Sequence, residues 1–150
     1  SLLYYPDDTV QHAGVVVGMG IVADHVHKHY PRGSAGYFGR MKLIQNLSAV
    51  TGACLMTRKT VFDEVGGFDS RFSQMFNDVD FCLRLREKGY WVVYSPYAEL
   101  YHHESQSRGS DFSKETFPIY KQAVNDFEQR WGAILRSGDP FFNPASACER

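Results

Sequence analysis

An acidic cluster in the middle of the chain, Asn77-Asp78-Val79-Asp80, could carry acid–base chemistry. The cluster follows a turn and opens a stretch with helical apolar spacing, so Asp78 is expected beside the free amides and the positive end of a helix. That environment favours the ionised carboxylate, which a general base acting on a hydroxyl group requires. Helix capping is the simpler interpretation of such residues, and Asp80 is the better candidate for a purely structural role.

A second candidate is the sequence His102-His103-Glu104, which ends a predicted strand. A neutral imidazole at a strand end can ligate a divalent metal, and carboxylates from elsewhere could complete an octahedral Mg or Mn shell. Because adjacent strand residues point in opposite directions, only one of the two histidines can face such a site. The alternative is an ordinary pair of surface histidines.

Three alternating histidines, His25, His27 and His29, form a third group. In an extended segment they would share one side, a spacing found in some zinc sites. No arrangement of carboxylates completes such a site, and the surrounding glycines and Pro31 predict a loop. A metal-binding domain built on these histidines and a solvated His-rich loop are both open interpretations.

A short stretch of serine and glycine with one arginine, Ser105 to Gly109, forms the fourth group. Such a loop could close over a diphosphate, because Arg108 would bind oxygens in a fork geometry and Gly109 would allow the loop to move. Ser107 adds a hydroxyl beside the guanidinium. An ordinary linker before the final helix is the alternative.

Composition limits the class of protein that can hold these groups. The chain has 150 residues, 43% hydrophobic and 22% charged, which is enough to form one sizeable core. Sixteen Lys and Arg against seventeen Asp and Glu give a net charge of -1, so nucleic acid is not expected as a partner. The longest apolar stretch, 14–23, falls short of the roughly 20 residues of a membrane span. Three separated cysteines favour a reducing compartment over a disulfide framework.

Hydrophobic spacing predicts the elements that position the candidate residues. Residues 9–17 read as one strand and 24–39 as an exposed loop or long hairpin, followed by a helix capped by Thr57 and ended by Gly66-Gly67. A helix buried on both faces is predicted from an N-cap at Asn77 to about residue 88, with Gly89 closing it.

The remaining elements complete an α/β pattern. Strands are predicted over 91–94 and 98–102, followed by a long helix and an extended tail over 138–150. The helix is indicated by an aromatic stripe at spacings of three and four residues: Phe117, Tyr120, Val124, Phe127 and Trp131.

Several short sequences resemble motifs of family 2 glycosyltransferases and occur in the same order. They are Thr51-Gly52-Ala53-Cys54-Leu55-Met56, Glu64-Val65-Gly66-Gly67-Phe68-Asp69, Asn77-Asp78-Val79-Asp80-Phe81-Cys82-Leu83-Arg84-Leu85-Arg86, Gly89-Tyr90 and Tyr101-His102-His103-Glu104-Ser105. Gln11-His12-Ala13-Gly14, Arg130-Trp131-Gly132 and Asp139-Pro140-Phe141-Phe142-Asn143-Pro144 extend the likeness over most of the chain. The chain especially resembles bacterial enzymes that build rhamnose-containing or other cell-surface polysaccharides.

This resemblance implies a GT-A fold and transfer of a sugar from a nucleoside diphosphate with inversion at the anomeric carbon. Asp78 matches the family's general base, and Asn77 stands where the family usually has glutamate. His102 matches the histidine that ligates a divalent cation, Mg or Mn, holding the diphosphate. Ser107 and Arg108 match the flexible lid that binds the nucleotide sugar. The turn beside the acceptor pocket is matched by Gly67, Phe68 and Asp69.

The family's nucleotide-binding half carries an Asp-x-Asp element, and none precedes Thr51. The fold class expected for residues 1–150 is therefore α/β, the C-terminal, acceptor-side half of a GT-A domain, inactive by itself. The full-length protein would be a cytoplasmic hexosyltransferase, peripheral to the inner face of the membrane, acting on a glycan or lipid-linked acceptor. An exposed apolar sheet edge could recruit a second copy. A module that binds a glycan or a partner without chemistry is the alternative.

Overall fold

The computed structural model describes residues 1–72, 75–103 and 117–143 and mixes strands with helices, in agreement with the predicted α/β class. The strands are β1 (Leu2–Tyr4), β2 (Val10–His12), β3 (Val15–Val17), β4 (Ala23–His25), β5 (Gln45–Asn46), β6 (Val93–Tyr94) and β7 (Glu99–Tyr101). The α-helices are α1 (Lys59–Glu64), α2 (Asn77–Glu87) and α3 (Phe117–Ser137), and 3-10 helices cover Tyr37–Lys42, Gly52–Cys54 and Ser70–Phe72. The predicted diphosphate loop, with Ser107 and Arg108, lies outside the described residues.

Within the described part of the chain, the strands form three small sheets. The largest has the order β2-β1-β7, with β1 antiparallel to β2 and parallel to β7. The other two are the antiparallel pairs β3-β4 and β5-β6. The parallel pairing joins strands that are far apart in the sequence, with Leu2 opposite Glu99, and brings the segment after β7 to the end of β1. Strand β7 is exposed along its length.

The single strand predicted over 9–17 is wrong, because the structure divides it into β2 and β3. Gly14 lies between them with φ of +124°, a conformation that side chains rarely adopt. A Cβ added at Gly14 would lie 2.4 Å from Leu47 Cδ1. The glycine therefore also allows the backbone to pack closely against the Leu47 side chain. Of the exposed loop or long hairpin predicted over 24–39, the structure shows the loop: β4 pairs with β3 across a turn at 18–22, and residues 26–36 form turns and loop.

Helix α2 begins and ends close to its predicted bounds, but its N-cap is different. Phe76, in the left-handed conformation with φ of +61°, occupies the N-cap, and Asn77 is the first helical residue. Seven consecutive residues of α2, 79–85, are buried, which confirms a helix covered on both faces. Gly89 follows the helix with φ of +83°, as a closing residue requires. The cap predicted for α1 is also wrong, because Arg58 takes that position instead of Thr57.

Helix α3 covers the core with the predicted aromatic stripe, but only after its first turn. Phe127 and Trp131 are buried, and Val124 packs against the core. Phe117 is 52% exposed, so the stripe meets the core from Tyr120 onward, where the Tyr120 ring contacts Phe76. None of the helices in the described ranges has the length and apolarity that crossing a bilayer demands.

The carboxylate of Asp80 joins α2 to α3 in the interior. Its side chain is fully buried and accepts hydrogen bonds from Arg84 Nε at 2.8 Å and Trp131 Nε1 at 2.9 Å. Arg130 approaches the same carboxylate at 3.2 Å. The structural role predicted for Asp80 agrees with this arrangement, in which a buried charge has both a charged partner and neutral donors.

The ring of His12 is a second buried polar group and lies on β2. The residue is inaccessible to solvent, and its Nδ1 lies 2.9 Å from Nδ1 of His25 on β4. Its Nε2 has no hydrogen-bond partner among the described residues. Burial lowers the pKa of His12 well below its ordinary value of 6.5, and the nearby His25 and the chain's amino terminus act in the same direction.

We expect Asp80→Asn to reduce the free energy of unfolding by about 3–5 kcal/mol, because it leaves the buried guanidinium of Arg84 without its charge partner. Urea unfolding at pH 7 measures this loss. The matched control is Asp63→Asn on α1, whose carboxylate is 56% exposed in a surface ion pair with Lys59; the control should change stability by less than about 1 kcal/mol. Equal effects of the two substitutions would contradict the role assigned to Asp80.

We also expect stability to fall as the pH drops below the ordinary pKa of histidine. Folded His12 resists protonation, so the unfolded chain binds the extra proton and the free energy of unfolding decreases on acidification. The slope contributed by one such group reaches about 1.4 kcal/mol per pH unit and disappears above the unfolded pKa.

Urea midpoints between pH 8 and pH 5 measure this dependence. His12→Gln should remove its contribution to the slope, whereas His29→Gln, at an exposed ring stacked on Tyr5, serves as the matched control and should retain it. A His12→Gln variant with the same pH slope as the parent would show that the buried imidazole is not the source.

Candidate active site

Asp78 stands in the first turn of α2 with both carboxylate oxygens on backbone amides. Its Oδ2 accepts a hydrogen bond from Gly52 N at 2.7 Å, and its Oδ1 accepts one from Val79 N at 2.8 Å. The residue is half-buried, so solvent and a ligand can reach it. Amide donors and the helix N-terminus both stabilise the ionised form of a carboxylate.

The 3-10 helix Gly52–Cys54 fixes the amide that meets Asp78. Thr51 precedes it, and its Oγ1 accepts a hydrogen bond from Ala53 N at 3.3 Å. Gly52 approaches Asp78 so closely that an added Cβ would lie 3.3 Å from Asp78 Cβ. The absence of a side chain at position 52 therefore allows the backbone-to-carboxylate bond.

Asn77 has a local role at this helix start. Its Oδ1 accepts a hydrogen bond from Asp78 N at 2.8 Å, which satisfies one of the free amides of the first turn. The predicted acceptor contact of Asn77 is not tested by this bond and stays a prediction.

The predicted acceptor-side turn, Gly67-Phe68-Asp69, is anchored from α2 and α3. Gly67 has φ of +66°, and its carbonyl oxygen accepts a hydrogen bond from Arg84 at 2.6 Å. An added Cβ there would lie 2.8 Å from a ring carbon of Phe62, so a larger residue would clash. Arg84 thus connects the Asp80 carboxylate with the backbone of this turn.

The last two residues of the turn differ in their surroundings. The Phe68 ring is 47% exposed and lies against the rings of Phe62 and Phe81. Asp69 forms ion pairs with Arg71 at 2.7 Å and Arg130 at 2.9 Å. Hydrogen bonds from Arg71, supported by Arg130, lower the pKa of the Asp69 carboxyl. Asp69 is therefore an ionised anchor of the turn, and Phe68 presents an apolar surface.

His102 directly follows β7 and is half-buried. Its backbone N–H donates to the carbonyl of Tyr4 at 3.0 Å and continues the parallel pairing of β1 with β7. Its ring Nδ1 lies 2.9 Å from Oε1 of Gln11, a residue of β2. His102 is thus held by two strands from the beginning of the chain: β1 binds its backbone and β2 its imidazole.

Asp78 and His102 have no hydrogen-bond partner in common among the described residues. The carboxylate is held by the amides of Gly52 and Val79, the imidazole by Gln11, and the backbone of His102 by the end of β1. That the two groups face one cleft is therefore still a prediction.

The described residues contain no group of three or more His, Cys, Asp or Glu side chains placed to hold a metal ion. His102 could supply one ligand, since an imidazole bonded through Nδ1 still has Nε2. The other ligands of a divalent cation would have to come from residues outside the described ranges.

The three alternating histidines do not share one side, because the segment is not extended at two of them. His27 and His29 have φ of +59° and +63°. His25 lies against His12, His27 Nε2 accepts from the amide of Tyr37 at 3.3 Å, and His29 stacks on Tyr5. The spacing expected for a zinc site is therefore not realised in three dimensions.

A cavity of about 450 Å³ lies beside these histidines and was not expected from the sequence. Tyr30, Tyr37 and Phe141 contribute aromatic side chains to its lining, together with Arg40. The only sequence signal for it is the unusual density of histidine and tyrosine in 25–37.

Two side chains form contacts that the sequence does not predict: Gln11 bonds to His102, and Asp139 anchors the tail. Asp139 accepts from Val17 N at 2.9 Å and Ser48 Oγ at 2.7 Å, and so attaches the tail to β3. Both residues lie within motifs that the resemblance includes, but neither motif assigns them a contact.

Comparison with known proteins gives a match to the family described as "Glycosyl transferase family group 2" over residues 8–133. The chain is 49% identical to the protein y4gI of Sinorhizobium fredii over 149 residues, which are 99% of the chain and 16% of that protein. It is 40% identical to the O-antigen biosynthesis protein RfbC of Myxococcus xanthus over 143 residues, 95% of the chain and 11% of that protein.

A third relative is the N-acetylglucosaminyl-diphospho-decaprenol L-rhamnosyltransferase of Mycobacterium tuberculosis. It is 44% identical over 91 residues, which are 58% of the chain and 30% of the enzyme. The chain thus spans less than a third of the length of each of these relatives. No solved structure matches the chain.

Proposed function

Because the chain belongs to the glycosyl transferase family group 2, we propose that residues 1–150 are the acceptor-side half of an inverting glycosyltransferase domain with the GT-A fold. The full-length protein would move a sugar from a nucleoside-diphosphate donor to a hydroxyl of a glycan or lipid-linked acceptor. The observation that carries this proposal is the half-buried carboxylate of Asp78, held at the start of α2 by two backbone amides.

In this mechanism Asp78 is the general base. The acceptor hydroxyl attacks the anomeric carbon as the bond from that carbon to the diphosphate breaks, and the hydroxyl proton passes to the carboxylate. Backbone amides hold the carboxylate in one orientation, and among the described residues it forms no ion pair. This contrasts with Asp69, which two guanidinium groups engage, and with fully buried Asp80.

The acceptor would bind beside the turn Gly67-Phe68-Asp69 and Asn77. The exposed ring of Phe68 offers an apolar face against which a sugar can stack, and Asn77 offers an amide for its hydroxyls. Arg84 donates a hydrogen bond to the carbonyl of Gly67. The position of the proposed acceptor surface therefore depends on a buried side chain of α2.

On the donor side, His102 would ligate a divalent cation, Mg or Mn, that neutralises charge on the departing diphosphate. Ser107 and Arg108 would contact the nucleotide sugar. The remaining cation ligands and the nucleotide pocket would belong to a preceding half of the domain, so residues 1–150 alone would not turn over a donor.

The names of two relatives support a role in cell-surface polysaccharide synthesis, since one refers to O-antigen and the other to rhamnosyl transfer. We therefore place the full-length enzyme in the cytoplasm, peripheral to the inner face of the membrane, where lipid-linked acceptors are found. The exposed strand β7 would face the missing half or a second copy.

We expect Asp78→Asn in the full-length protein to reduce sugar transfer by about 10²–10⁴-fold, because an amide cannot take the acceptor proton. Asparagine keeps an oxygen for the Gly52 amide but loses the acceptor for the Val79 amide. Thermal unfolding and donor affinity are therefore measured beside the rate, to separate loss of the base from loss of this hydrogen bond. Release of nucleoside diphosphate and of glycosylated acceptor measures the rate.

The matched control is Asp63→Asn, an exposed carboxylate on α1 that should leave transfer unaffected. A full rate in Asp78→Asn would refute Asp78 as the base. If the parent protein bound oligosaccharides in calorimetry but turned over no donor, the chain would instead be a non-catalytic glycan-binding module.

A further inference from the structure

The pairing of β1 with β2 contains an irregularity at Gln11. Leu3 pairs with His12, and the next residue, Tyr4, pairs with Val10. In regular antiparallel pairing Tyr4 would stand opposite Gln11, so Gln11 is the extra residue of a β-bulge. Bulges are frequent beside active sites, where they redirect a side chain that the regular pleat would point elsewhere.

The redirected side chain of Gln11 reaches His102 with both ends of its amide. Nε2 donates to the backbone carbonyl of His102 at 3.3 Å, and Oε1 lies 2.9 Å from the ring Nδ1 of the same residue. These bonds cross the end of β1, which lies between β2 and β7.

The chemistry of the two contacts assigns the orientation of the amide. A backbone carbonyl only accepts, so the group facing it must be the NH2 of Gln11, and the opposite orientation would place two acceptors against each other. Oε1 therefore faces Nδ1 of His102. Because a carbonyl oxygen cannot donate, that ring nitrogen must carry the proton.

We propose that Gln11 is a positioning residue that holds the His102 imidazole with its proton on Nδ1 and its Nε2 lone pair available to a divalent cation. Among the residues that the structure describes, none is hydrogen-bonded to Nε2 of His102. An imidazole that ligates a metal commonly donates its other N–H to a nearby carbonyl or carboxylate, which fixes the ring and its tautomer. The inference rests on the proposed function for its metal, but the tautomer can be tested without it.

The first test is the tautomer of His102 in protein labelled with ¹⁵N-histidine, at about pH 9, where imidazole is neutral. The His102→Gln variant identifies the His102 signals by their loss. In the parent protein we expect a protonated Nδ1 and an unprotonated Nε2. In Gln11→Leu we expect a mixture of tautomers. In Gln11→Glu the carboxylate oxygen that faces Nδ1 should keep the Nδ1–H form, while the hydrogen bond to the His102 carbonyl is lost.

Gln122→Leu is the matched control, since Gln122 lies exposed on α3 and, within the described part of the chain, bonds to Asp126 on the same helix. It should leave the His102 signals unchanged. A proton on Nε2 in the parent protein, or the same tautomer in Gln11→Leu as in the parent, would overturn the proposal. Circular dichroism establishes that each variant is folded.

The second test is Mn²⁺ affinity of the full-length protein, measured by electron paramagnetic resonance of the free ion. We expect Gln11→Leu to weaken binding by about 10–100-fold and Gln11→Glu to recover most of it. Mn²⁺ binding equal to the parent's in Gln11→Leu would overturn the proposal. If the tautomer behaves as expected but His102→Gln does not affect Mn²⁺ affinity, the metal role of His102 in the proposed function fails, while the hold of Gln11 on the ring stands.

Discussion

The buried carboxylate of Asp80 is the interaction on which the arrangement of the candidate site depends. It lies inside α2, two residues after Asp78, and binds Arg84 on the same helix and Trp131 on α3. Arg84 continues from this carboxylate to the carbonyl of Gly67. One ionic centre thus fixes the start of α2, the packing of α3 and the turn beside the proposed acceptor pocket. A charge removed from water is tolerated there because every partner it needs is supplied by nearby elements.

Helix α2 could be predicted from the sequence because its signals are local. Apolar residues on both faces, acidic residues in the first turn and Gly89 after the last turn all lie within one segment. The N-cap was misassigned because Asn77 is the statistically favoured type, whereas the structure uses a left-handed Phe76. The aromatic stripe of α3 was predicted for the same reason, and its exposed beginning at Phe117 depends on tertiary contacts that spacing does not encode.

The sheet around His102 could not be predicted, because its pairing is non-local. Strand β1 has three residues; it joins β2 by an irregular register and pairs with β7, which follows it by more than 90 residues (Leu2 opposite Glu99). The bulge at Gln11 has no sequence signal of its own, since glutamine is an ordinary strand residue. Likewise, His27 and His29 have positive φ angles, so the segment is not extended there. The alternate spacing of the histidines therefore does not place them on one side of the chain. Motif resemblance therefore located Asp78 and His102, but their supporting contacts came only from coordinates.

The backbone contact between Gly52 and Asp78 has a consequence for how acceptor preference can diverge. The carboxylate is oriented by main-chain amides, which every residue type except proline provides, and not by a neighbouring side chain. Side chains that line the acceptor surface, such as Phe68, can then be exchanged without displacing the proton-accepting oxygen. Position 52 is the exception, where an added Cβ would lie 3.3 Å from Cβ of Asp78 and the two residues would have to move slightly apart. In the proposed mechanism, proton transfer and acceptor binding would thus depend on different atoms, the first on the Asp78 carboxylate and the second on side chains such as Phe68.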